Sequence, residues 1–204
     1  MQDKNKVLII VDFQKDFYHK TEGSLYVPGA EDALKNILSY IENNHNEIKE
    51  CIFTVDWHTP EDKSFAKNGG QWPVHCLMDS DGASINNEIM NTLIKNDIEY
   101  FIFEKGTCSD HEEYGAFEKK KEYTDEKGFE GFVKLYNYLE DNCIDAFLTD
   151  DYVICGLAGD YCVYQTYKNL RNHGFNVEPF YDGMSFIGEK IDFKEKYNTE
   201  NTND

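Results

Sequence analysis

The 204-residue chain is long enough for one domain with a full hydrophobic core and no disulfide staples. Its apolar content of 40% and aromatic content of 15% exclude a disordered segment. A formal charge of -19 argues against nucleic-acid or anionic-membrane partners, which are bound through clustered Lys and Arg.

Met1 to Lys6 is polar, and the apolar run behind it is too short for a signal peptide. No stretch approaches the roughly 20 apolar residues that cross a bilayer. The six cysteines (51, 76, 108, 143, 155 and 162) show no CxxC spacing and read as reduced thiols, so a cytoplasmic protein is expected.

Val7-Leu8-Ile9-Ile10-Val11 suits a strand buried on both faces. Beyond a loop with Pro28-Gly29, apolar residues at Ala30, Ala33, Leu34, Ile37, Leu38 and Ile41 predict one face of a helix. Cys51 to Val55 predicts the second strand, followed by a Gly- and polar-rich loop from about Trp57 to Ala83. Ile85, Ile89 and Leu93 mark the next helix, and Tyr100 to Phe103 the third strand. Phe129, Phe132, Val133, Tyr136 and Leu139 give a further helical face. Tyr152 to Cys155 predicts a fourth strand. It leads through Gly156 into a helix from near Asp160, with Val163, Tyr167 and Leu170 inward and His173-Gly174 at its end. Asn176 to Tyr181 predicts the last strand, and the polar tail is expected to fray after about Asp192. No repeat or linker interrupts the pattern, so residues 1–204 read as one domain. The alternation predicts an α/β fold, a mostly parallel sheet with helices on both faces in three layers.

Open sheets of this kind bind ligands at the carboxyl ends of their strands. Asp12, Asp56 and Lys105 close the first three predicted strands, and Cys162 follows the fourth. Cys162 lies in a small-residue turn that opens a helix, where partial positive charge lowers a thiol's pKa and backbone N–H groups can hold an oxyanion. A carboxylate to take the thiol proton, an ammonium to stabilise the thiolate and a cysteine to attack a carbonyl form a workable set. Cys51 and Cys155, inside strands, read as structural. A second cluster comprises Asp56-Trp57-His58 and Trp72-Pro73-Val74-His75-Cys76. Two histidines and a carboxylate in one loop suit a divalent metal with open positions, with zinc, iron and manganese all compatible. His19, His45, His111 and His173 are assigned to ordinary surface or core roles.

The ordered motifs Val11-Asp12-Phe13-Gln14-x-Asp16-Phe17, Asp56-Trp57-His58, Ser64-Phe65-Ala66, Trp72-Pro73-Val74-His75-Cys76, Lys105-Gly106 and Gly156-Leu157-Ala158-x-Asp160-Tyr161-Cys162-Val163 carry a resemblance. Together they resemble the nicotinamidase/pyrazinamidase group of the isochorismatase-like hydrolase superfamily, over about Val7 to Ser185. The resemblance implies a catalytic triad of Asp12, Lys105 and Cys162, and an oxyanion hole from the N–H groups of Ala158 and Cys162. It implies a cis peptide before Ala158, metal ligation by Asp56, His58 and His75, and ring-enclosing residues Phe17, Trp72 and Tyr114. Its substrate is a small amide, nicotinamide, hydrolysed through a cysteine thioester; self-association is compatible with it.

Two departures stand out. Asp62 occupies the place where a second histidine often stands, which makes Asp62, Glu61 and Ser64 additional candidate ligands. Gly159 replaces a frequent threonine, and Gly115 a serine. The rival readings are an amidohydrolase of the same superfamily acting on a ureido or carbamoyl compound, and a plain metal-hydroxide hydrolase in which Cys162 is structural. An isochorismatase proper would lack the cysteine, and a non-enzymatic metal or redox protein would turn over no amide.

Overall fold

The computed structural model describes residues 4–109, 113–117 and 151–201. Among them five strands form one sheet: β1 (Lys6–Val11), β2 (Ile48–Asp56), β3 (Glu99–Lys105), β4 (Asp151–Gly156) and β5 (Val177–Met184). Their order is β3-β2-β1-β4-β5, and every pairing is parallel. Central β1 pairs Leu8 with Cys51 on one side and Val153 on the other, and Ile10 with Phe53 and Cys155. Val7 to Val11 are all buried, as the β-branched run predicts for a strand covered on both faces.

The described helices are α1 (Lys15–Tyr18), α2 (Ala30–Asn44), α3 (Asn87–Lys95), α4 (Tyr164–Asn172) and α5 (Phe193–Asn201). The single turn of α1 is too short to leave a periodic signal. α2 buries Ala30, Ala33, Ile37 and Ile41, the stripe its spacing predicts. Asn86 caps α3 by accepting the N–H groups of Glu88 and Ile89 at 2.9 and 3.1 Å. Ile85 therefore lies ahead of that helix, bridged to Gln14, while Ile89 and Leu93 form its inward face. The helix predicted around Phe129 to Leu139 lies outside the described residues, as do Cys143 and His111.

Crossovers run from β1 through α2 to β2 and on through α3 to β3, whereas α4 carries the chain from β4 to β5 in the opposite direction. With right-handed connections, α2 and α3 cover one face of the sheet and α4 the other. The two directions diverge between β1 and β4, and the crevice at the carboxyl ends opens there. No described helix is long and apolar enough to cross a membrane.

Of the tail expected to fray after Asp192, the described residues are helical. Residues 193–201 form α5, and Phe193 is fully buried against the rings of Tyr164, Tyr167 and Tyr181, with centroids 5.3, 5.3 and 5.5 Å away. The Phe193 N–H donates to the Tyr181 hydroxyl at 2.8 Å, and Asp192 accepts the Glu195 N–H at 2.9 Å. A mostly polar composition hid this element because one aromatic anchor does most of the docking. Phe193→Ala is expected to lower unfolding free energy by about 3 kcal/mol in urea titration, the cost of an unfilled aromatic site. A loss below ~1 kcal/mol would mean that the tail contributes little.

Candidate active site and metal centre

Asp12 follows β1, Asp56 ends β2, Lys105 ends β3, and Cys162 lies in a π-helical turn, Gly159–Val163, between β4 and α4. All four are buried. The Lys105 ammonium stands 2.8 Å from Asp12 Oδ2, contacts Asp56 Oδ1, and donates to Cys162 Sγ at 3.7 Å. The Thr54 hydroxyl donates to Asp12 Oδ1 at 2.8 Å, which leaves Oδ2 turned toward the ammonium.

Burial pushes Asp12 up to about 6, against the pull of Lys105. It also raises the Cys162 thiol well above its ordinary value; Lys105 opposes this, and Asp12 and Asp56 add to it. The lowered thiol pKa expected at a helix start is thus outweighed by desolvation and two nearby carboxylates. Burial would deprotonate Lys105 as well, but Asp12 and Asp56 hold it well above the usual lysine value. The resting arrangement is a neutral thiol beside a carboxylate and a fixed cation.

Asp56 has two faces. Oδ1 meets Lys105, while Oδ2 lies 3.6 Å from His58 Nε2 and 3.8 Å from His75 Nε2. Ligand atoms of Asp56, His58 and His75 all lie within 4.8 Å of one another. Each imidazole is held from behind: His75 Nδ1 is 2.8 Å from the Pro73 carbonyl, and His58 Nδ1 is 2.9 Å from Asp62 Oδ2 and 3.0 Å from the Gly106 carbonyl. In the neutral rings, acceptors at Nδ1 place the proton there and leave both Nε2 lone pairs facing Asp56, so the residues present fit a divalent ion that displaces the Nε2 proton of His58. Burial lowers the His75 pKa. Burial acts on His58 in the same sense, but Asp56 and Asp62 reverse it and push His58 up to about 10. Asp56, which burial alone would raise, is held below the carboxylate range by Lys105, His58 and His75.

The three additional candidate ligands separate. Asp62 stands behind His58, outside the converging donors; Ser64 lies on the cavity wall; Glu61 is exposed. Among the other histidines, His19 Nδ1 accepts the Glu22 N–H, His45 Nδ1 meets the Glu42 carbonyl and His173 Nε2 the Phe117 carbonyl, all away from this cluster.

Asp56, His58, His75 and Cys162 face a cavity walled largely by aromatic side chains. Phe17, Trp72 and Tyr114 line it together with Cys162, Ala158 and the three candidate ligands. Trp72 Nε1 donates to the Tyr114 hydroxyl at 3.0 Å, and Tyr161 packs against both rings, with centroids 5.2 and 5.6 Å away. The Leu157–Ala158 peptide is cis.

Sequence reasoning missed Tyr161 and three polar residues that build the site. Gln14 spans the main chain of Asp56, accepting its N–H at 2.8 Å and donating to its carbonyl at 2.8 Å, and donates to the Ala83 carbonyl at 2.9 Å. Asp16 accepts the Ser24 N–H at 3.0 Å and, beside His75, the Cys76 N–H at 2.7 Å. Asp160 accepts the N–H groups of Ile187 and Gly188 at 3.0 and 2.7 Å, tying the segment after β5 to the turn that carries Cys162. The available signal was polar residues set between aromatic ones, since a buried polar group needs partners.

The isochorismatase domain model matches residues 6–189, and the chain belongs to that family. The nicotinamidase of Saccharomyces cerevisiae is 29% identical over 201 residues, spanning 87% of this chain and 86% of its own. The structure of the yeast nicotinamidase bound to the inhibitor nicotinaldehyde has a TM-score of 0.75 at 27% identity, covering 96% of this chain and 97% of that one. The pyrazinamidase of Pyrococcus horikoshii in complex with zinc has a TM-score of 0.67 at 28% identity, covering 98% and 95%.

Replacing Gln14 by Ala strands the N–H and carbonyl of Asp56 in a buried site, each worth about 1–3 kcal/mol when unpaired. Gln14→Ala should lose at least ~2 kcal/mol in chemical denaturation. An unchanged midpoint would show that Asp56 is positioned by other means.

Proposed function

We propose that the protein is a nicotinamidase, which hydrolyses nicotinamide to nicotinate and ammonia through a thioester on Cys162. The observation that carries this reading is the buried ammonium of Lys105, set between Asp12, Asp56 and Cys162, the last two of which line an aromatic-walled cavity. The likeness to the yeast nicotinamidase supports the substrate. The free thiols among the described residues suit a cytoplasmic setting.

In the first half-reaction Asp12 takes the Cys162 proton as Sγ attacks the amide carbonyl carbon, and the carbonyl electron pair moves to oxygen. The N–H groups of Ala158 and Cys162 receive that oxyanion. Asp12 then passes its proton to the amide nitrogen, the C–N bond breaks, and ammonia leaves the thioester. In the second half-reaction Asp12 deprotonates a water that attacks the thioester. The C–S bond breaks, the thiol regains its proton from Asp12, and nicotinate is released. Lys105 stays protonated throughout and fixes Asp12 in place. Phe17, Trp72, Tyr114 and Tyr161 enclose the flat ring by stacking and edge contacts. Asp56, His58 and His75 would hold a divalent ion, with zinc favoured over iron or manganese by the zinc complex of the pyrazinamidase. When bound, it would supply a Lewis-acid contact to the pyridine nitrogen that keeps the carboxamide in reach of Cys162.

Cys162→Ala should cut ammonia release from nicotinamide by at least about 10³-fold, as loss of a nucleophile does elsewhere. Retention of more than a tenth of the activity would remove Cys162 from the chemistry and favour a metal-hydroxide hydrolase. Chelator treatment of the native enzyme should stop ammonia release and added zinc should restore it; full activity in the chelated protein would refute the metal's role.

A further inference from the structure

We infer that Asp62 is a positioning residue for the metal centre, a buried carboxylate that sets the tautomer and donor strength of His58 and makes the two histidine ligands unequal. The inference rests on the reading of Asp56, His58 and His75 as ligands. It assigns to Asp62 a role outside the coordination shell.

The argument starts from the two nitrogens of one ring. His58 Nε2 faces Asp56 Oδ2 and belongs to the converging donors. Nδ1 faces away from them and meets Asp62 Oδ2 at 2.9 Å and the Gly106 carbonyl at 3.0 Å. Among the described residues two acceptors and no donor meet Nδ1, so in the neutral ring, the form that ligates a metal, the hydrogen is fixed there and Nε2 presents a lone pair. His75 reaches the same tautomer with one neutral acceptor, the Pro73 carbonyl at 2.8 Å. A carboxylate is the stronger acceptor and shifts electron density through the ring toward Nε2. His58 is thereby the stronger donor of the pair.

Asp62 is itself held for this task. Its Oδ1 accepts the Ser64 N–H at 2.8 Å, and its backbone carbonyl accepts from Asn68 Nδ2 at 2.7 Å. Only 1% of the residue is exposed, so solvent does not dilute the contact. From the opposite side, Gly106 brings its backbone against the ring: a Cβ there would lie 2.6 Å from His58 Cε1, and its φ of +67° suits glycine. Two separate loops therefore fix one imidazole, and only the Asp62 side contributes charge. An outright ligand role for Asp62 would require Oδ2 to leave Nδ1 and swing around the ring.

The test is zinc affinity, measured for the full-length protein by competition with a chromophoric chelator. Asp62→Asn keeps the size of the side chain and removes its charge, and it should weaken zinc binding 10- to 100-fold. Asp62→Ala should weaken it at least as much, and Asp62→Glu should recover part of the loss. Thermal melts of the chelator-treated proteins report folding separately. If native and Asp62→Asn proteins bind zinc equally, the positioning role is overturned while the metal site stands. If the native protein binds no zinc, the metal reading fails and this inference with it.

Discussion

Everything at this site is arranged around one buried cation. Lys105 has its ammonium fully enclosed, and an isolated ammonium in such surroundings would lose its proton. Asp12 and Asp56 keep it charged, and it in turn keeps them together despite their like charges. None of the three is stable there without the others. Removing one leaves an uncompensated buried charge, which costs about 3–5 kcal/mol in comparable settings. The sheet makes the arrangement attainable. Asp56 pairs with Lys105 in the register of β2 and β3, and Asp12 follows Val11, which pairs with Thr54 two residues before Asp56. Adjacent parallel strands deliver their terminal side chains to one rim at the spacing of the backbone ladder.

Asp56 links the two halves of the site. One oxygen balances Lys105 and the other faces the two histidines, so a single carboxylate belongs to the surroundings of Lys105 and Cys162 and to the donor cluster at once. Movement of Asp56 would disturb both. Gln14 addresses this through the backbone, bonding both the N–H and the carbonyl of Asp56, and a side-chain amide matches that donor–acceptor pair well.

Much of this was visible in the sequence, and for identifiable reasons. Strands β1, β2 and β4 showed as apolar runs because strands buried on both faces of a parallel sheet admit little else. Asp12 and Lys105 were marked by position, as charged groups at strand ends, and Cys162 by the small-residue turn that opens a helix. Asp56, His58 and His75 were marked by chemistry. Three features were less legible. Helix α5 carries its docking on Phe193, and one residue gives no period. Gln14, Asp16 and Asp160 act on main-chain groups brought close only by the fold, and no spacing rule encodes those partners. The position of Asp62 behind His58, outside the converging donors, depends on which ring nitrogen turns inward, a fact of geometry that composition does not contain.

Two of these polar clamps, Gln14 and Asp16, explain why a stretch as long as Trp57 to Ala83 is ordered without strands or long helices. Asp16 fixes the backbone at Cys76, Gln14 fixes it at Ala83, and the internal bridges His58–Leu77 and Phe65–Trp72 close the span between. Loops of this length are uncommon in compact domains unless they carry a site. Here each anchor lies within one or two residues of a side chain that faces the cavity, or bonds the main chain of one. Gln14 reaches Asp56, and Asp16 reaches the residue after His75. Asp160 reaches Ile187, which lines the rim. Order is concentrated where reacting groups must be held before substrate arrives, which is the condition for fixed dipoles and charges to stabilise a developing oxyanion without reorganising.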